Sequence, residues 1–151
     1  MAKLKIVKHG DDTLRKICRP VDQINPRIVT LLDDMIETMR DADGCGLAAP
    51  QVGILRRIEI VQIEPDGTVY ELINPKIIAF SGEQESEEGC LSIPGRWGIT
   101  KRPMHVTVRA MNREGQTVDI TGSGLLAKAF CHEIDHLDGK LYIDIARMIE
   151  E

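Results

Sequence analysis

Aromatic residues are scarce in this chain: one Trp, two Tyr and two Phe among 151 residues. A surface that grips unpaired bases needs rings for stacking, so the scarcity counts against single-stranded nucleic acid as a ligand. A basic excess is missing too. With 19 Lys and Arg against 24 Asp and Glu the formal net charge is −5, whereas a phosphate binder normally carries a cationic face. Direct nucleic-acid binding is not expected. No apolar run approaches the length of a membrane span, and the basic start "MAKLKIVKHG" lacks the apolar stretch and small-residue cleavage site of a secretory signal. These absences predict a cytoplasmic protein with no membrane partner. Cys18, Cys45, Cys90 and Cys131 include no close pair, and the chain is larger than the usual disulfide scaffold, so they read as reduced thiols.

What is present suffices for one core. Apolar residues make up 42% of the chain, mostly aliphatic and Met, which predicts a single domain over 1–151. The segment "NPRIVTLLDDMIETMRDADG" predicts a helix: Asn25 can cap, Pro26 suits the first position, and Ile28, Leu31, Leu32, Met35, Ile36 and Met39 form one apolar stripe. Next, "RRIEIVQI", the turn "EPDGT" and "VYELI" read as a hairpin, with further extended segments at "KIIAF", "HVTVRAM" and "TVDI". The acidic "SGEQESEEG" reads as a solvated loop. Near the end, "SGLLAKAFCHEIDHLDG" predicts a second helix, capped by Ser123 and stopped by Gly139. Many strands between two distant helices indicate an α+β fold rather than an alternating parallel sheet.

Within the second helix, "HEIDH" places His132 and His136 four residues apart, on one face and able to reach a common ion. Glu133 stands about 100° round the helix, where a carboxylate can reach water beside that ion without displacing it. The pattern suits hydrolysis, since a metal lowers the pKa of water to about 7 and a carboxylate can take the proton. Two histidines need a third ligand. A third His six residues past the second is excluded because position 142 is Tyr, and Glu150 and Glu151 fall at a fraying end. Upstream stand His9, His105 and the thiols. Cys90, in "EEGCLSIPG", is the most prominent, with Gly89 permitting an unusual backbone and Pro94 and Gly95 closing a tight segment. A thiolate with two imidazoles forms a coherent set for Fe²⁺ or Zn²⁺, but spacing alone does not choose it over a buried, inert cysteine.

Three ordered segments, "GCGLAAPQ" (44–51), "EGCLS" (88–92) and "HEIDH" (132–136), together resemble the peptide deformylases. The resemblance extends to "LRK" and "RP" near the start, "INP" at 73–75 and "GKLYID" after the helix, so it spans nearly the whole chain. It implies antiparallel sheets packed around the helix that carries HEIDH, plus an N-terminal helix. It implies one Fe²⁺ per chain, replaceable by Zn²⁺, Ni²⁺ or Co²⁺, on Cys90, His132 and His136. Glu133 then resembles the general acid/base, and the Gln51 amide with the Leu91 backbone N–H the donors to a formyl oxygen. Gly46 resembles a residue that lets the loop lie along the substrate backbone, while Leu125, Ala129 and the His132 ring suit the wall of a methionine slot, with Cys45 at its rim. The implied substrates are N-formylmethionyl nascent polypeptides, and the implied product is formate.

Some positions depart from that pattern. Cys131 and Lys128 stand where many members carry Gln and an apolar residue, which bears on the pocket lining rather than on the metal chemistry. Trp97 fits either the pocket mouth or a buried structural role, and Asp135 with Arg102 form a candidate pair steadying the helix. The acidic "IARMIEE" offers no basic tail for docking to a ribosome. Two other classes remain: a metallopeptidase, which lacks its downstream ligand here, and a non-catalytic metal module.

Overall fold

The structure, a computed structural model, describes residues 2–149. Glu150 and Glu151, set aside above as ligands, lie outside the described residues. Helix α1 covers Pro26–Asp41, and the Asn25 side chain accepts from the Ile28 N–H at its start, so one short polar residue satisfies a donor the helix cannot. The strands are β1 (Gly46–Ala48), β2 (Ile58–Val61), β3 (Tyr70–Ser81), β4 (Gln84–Cys90), β5 (Ile93–Arg102), β6 (His105–Met111), β7 (Thr117–Ser123) and β8 (Arg147–Met148). Helix α2 covers Leu125–Leu137. The α+β class expected from the sequence is what the chain adopts.

Strands in the order β1-β2-β3-β6-β7 form an antiparallel five-stranded sheet, and β4-β5-β8 form a second, smaller one. Helix α1 lays Leu32, Met35 and Met39 on one face of the large sheet against Leu47, Ile58, Ile60 and Ile73. On the opposite face, Ala127, Phe130, Cys131 and Ile134 of α2 meet Val61, Leu72, Val106 and Val108. Alternation along β2 thus sends residues 58 and 60 toward α1, and 59 and 61 toward α2. Among the described residues no helix is long and apolar enough to cross a membrane.

Three local expectations are corrected. "KIIAF" is not a separate strand but the far half of β3, which carries a register shift between Ile73 and Lys76. Asn74 sits there at φ 54°, and its amide exchanges two 2.8 Å bonds with the Val21 backbone, so the irregularity in "INP" binds the N-terminal segment. The acidic stretch taken for a loop is β4, paired with β5 through Gln84–Arg102 to Glu88–Gly98. Ser123 does not cap α2: it ends β7, its hydroxyl is bonded to His105 at 2.7 Å, and Gly124 takes the cap position without a side-chain bond. Gly139, at φ 74°, follows the end of α2 as expected.

Candidate active site

Helix α2 runs between the two sheets, and its buried end faces the C-terminus of β4. That arrangement brings Cys90 to the helix: its Sγ lies 3.3 Å from His136 Nε2. Ligand atoms of Cys90, His132 and His136 all fall within 4.8 Å of one another. Both histidines are buried and Cys90 is half-buried. Three soft or borderline donors converging this closely fit a divalent first-row cation.

The tautomers agree with that fit. Glu88 binds His132 Nδ1 at 2.5 Å, leaving Nε2 as the free ring nitrogen. A carboxylate behind a ligating histidine fixes its orientation and raises its basicity. Burial opposes ionisation of Glu88, but hydrogen bonds from His132 and Arg102 overcome it and hold the pKa down to about 2. Arg102 reaches Glu88 Oε1 and Asp135 Oδ2, each at 2.7 Å, so one guanidinium clasps β4, β5 and α2. Burial, then the neighbouring His132, keep His136 well below the usual imidazole range and therefore neutral, the state that ligates. His132 is pushed the other way: burial resists its protonation, but the neighbouring Glu133 and the hydrogen bonds to Cys90 and Glu88 prevail.

Glu133 is buried, and burial raises its pKa to about 7. Its carboxylate lies against Gly46, where an added Cβ would stand 3.0 Å from Glu133 Cδ. Glycine is needed at that point of β1 for closeness to the carboxylate. Gly89 serves the same purpose toward Trp97: the β4–β5 register breaks between Glu88 and Cys90 without a positive φ at Gly89, and a Cβ there would meet the indole at 2.6 Å. Gln51, on the short 3₁₀ turn Ala49–Val52, accepts from the Ala48 N–H at 2.9 Å through Oε1. That bond turns Nε2 toward Ser92 Oγ at 3.1 Å and Cys90 Sγ at 3.5 Å.

A cavity of about 550 Å³ opens over these groups, lined by Gly46, Gln51, Cys90, Leu91, His132 and Glu133. Cys45, Leu125 and Ala129, the expected slot residues, also line it, while His136 lies behind this lining and joins the group through Cys90 and His132. Trp97 lies at this cavity and is half-exposed, which excludes the buried role. Lys128 lends its stem to the wall while its ammonium binds Ser86 Oγ at 3.1 Å and the Glu87 carbonyl at 2.8 Å on β4. Cys131 faces the core beneath α2, and burial lifts its thiol to about 11. The Arg102–Asp135 pair is present. Glu88 and Ser92 were not singled out for the site, although a carboxylate two residues before a candidate ligand was a readable signal for the first.

A cysteine sulfur and two imidazoles beside a buried carboxyl, set in an α+β fold, make the arrangement of a metal-dependent hydrolase. The polypeptide deformylase family model matches residues 3–151, and the chain belongs to that family. A peptide deformylase of Acetivibrio thermocellus is 55% identical, across 100% of this chain and 88% of its own length. One of Alkaliphilus metalliredigens is 54% identical, across 93% and 95%. The crystal structure of a peptide deformylase from Legionella pneumophila superposes with a TM-score of 0.93 at 45% identity, covering 95% of this chain and 86% of that one.

Proposed function

We propose that the chain removes the formyl group from the N-terminal formyl-methionine of newly made polypeptides in the cytoplasm, releasing formate and a free amine. The observation that carries this reading is the convergence of Cys90, His132 and His136 within 4.8 Å, beside a cavity that Glu133 and Gln51 also line. Those three residues would hold one Fe²⁺, for which Zn²⁺, Ni²⁺ or Co²⁺ can substitute at such a donor set. When bound, the cation supplies Lewis acidity and lowers the pKa of water to about 7.

Glu133 takes a proton as water attacks the formyl carbon, and hands it to the departing nitrogen as the C–N bond breaks. A carboxyl raised to about 7 by burial suits both directions of that transfer at neutral pH. Negative charge growing on the formyl oxygen is met by Gln51 Nε2 and the Leu91 N–H. Because Oε1 of Gln51 is already committed to Ala48, the amide is oriented before substrate arrives, which is the economy of a preorganised site. The methionine side chain fits the apolar wall of Leu125 and Ala129 with the His132 ring, Cys45 forming the rim. Strand β1 ends the large sheet, so Gly46 can offer an extended substrate backbone strand-like hydrogen bonds.

Incubating metal-loaded protein with formyl-Met-Ala-Ser and with an unformylated peptide tests the reading. Formate from the first and no cleavage of the second is expected. Cleavage of the second alone would overturn it in favour of a peptidase.

A further inference from the structure

Glu59 is fully buried on β2, and neither carboxylate oxygen has a hydrogen-bond partner among the described residues. Its neighbours Ile58 and Ile60 face α1, so Glu59 faces α2, as do Val61 and Leu72, the register partner of Glu59. This is an apolar position by every local rule, and an acid there without a partner demands an explanation. Arg57, the nearest cation in sequence, is committed to the Leu137 carbonyl and Asp138. The other charged groups facing Glu59 are Glu133, His132 and Asp135 from α2, and Asp135 is taken up by Arg102.

Glu133 shows a matching gap. Its Oε1 is sealed from solvent and lacks a partner among the described residues, while Oε2 lies on the Gly46 side, at the cavity. One buried oxygen of the candidate acid/base therefore wants a donor, and the buried carboxyl facing the same helix has no acceptor. We propose that Glu59 is a positioning residue for Glu133: as a carboxylic acid it donates a hydrogen bond that reaches Oε1 through a bridging water and leaves Oε2 for the reacting atoms. Burial first, and then the charge of Glu133, push the Glu59 carboxyl well above the ordinary range, so it keeps its proton. A neutral acid held by an apolar site in order to donate is a physically sound use of such a group. The proposal rests on the deformylase reading above.

Two substitutions separate donation from packing. In metal-loaded protein, Glu59→Val keeps an apolar fit but removes the donor: kcat falls about tenfold, as for one lost hydrogen bond, with KM and metal content unchanged and Tm raised. Glu59→Gln keeps an N–H donor and most of the kcat. Infrared spectra at neutral pH show the C=O band of a protonated carboxyl in the wild type that Glu59→Gln removes. Wild-type kcat in Glu59→Val, a Gln variant as slow as the Val variant, or no band lost on Glu59→Gln each overturns the proposal. The infrared measurement needs neither turnover nor the Val variant to fold, so it decides separately from formate release, whose absence in the wild type would sink the deformylase reading instead.

Discussion

A carboxyl that only carries a proton can be deleted while the metal ligands stay in place, whereas a ligand cannot. Glu133→Ala is therefore expected to keep its metal and its fold and lose turnover by about 10² to 10⁴, the usual scale for general acid–base catalysis. Cys90→Ser and His132→Ala should lose the metal itself. Elemental analysis beside formate release distinguishes them, and a Glu133→Ala protein that turns over like the wild type contradicts the assigned role. The thiols give a second test with a definite sign. Burial lifts Cys18 to about 11, so it stays protonated until the pH nears that value; desolvation and then Glu133 raise Cys45 too, but Cys45 is exposed and open to the reagent. Iodoacetamide at pH 8 followed by peptide mapping should label Cys45 and spare Cys18, and rapid labelling of Cys18 in folded protein would contradict the burial argument.

Strand β4 shows where the sequence could be read and where it could not. Its inward positions are Gln84, Ser86 and Glu88, so the alternation is there but is polar on both faces, and a test for alternating apolar residues passes over it. Local rules fail at this strand because its inner face serves the site. Helix α1 was legible down to its cap because Asn25 and the apolar stripe obey propensity and packing together. The end of β7 was not, since a strand running directly into α2 leaves Ser123 no freedom to cap. Arg102 holds β4 and β5 to α2 through nearly buried ion pairs. Arg102→Ala strands the Glu88 charge and should cost about 3–5 kcal/mol, read as a lower denaturant midpoint at unchanged slope. An unchanged midpoint would show that the clasp is not structural. Gly46→Ala forces a methyl onto the Glu133 carboxylate and should cut turnover while leaving metal bound.

Across the whole molecule, folding joins three short motifs that lie far apart in the chain. Residues 51, 90 and 132–136 were readable as an ordered set, but their meeting depends on antiparallel pairing and on α2 lying between two sheets, neither of which spacing encodes. The buried Glu59 was equally hidden, because its strand reads normally and only the packing shows what it faces. A thiolate-bound ferrous centre is open to oxidation, so activity should decay in air faster for the Fe²⁺ form than for the Ni²⁺ form, and equal lifetimes would argue against that metal. The most direct test is X-ray absorption at the metal edge of the Zn²⁺-loaded protein. One sulfur near 2.3 Å with two imidazole nitrogens at about 2.0–2.1 Å is predicted. A shell without sulfur would contradict the assignment of Cys90, and with it the site.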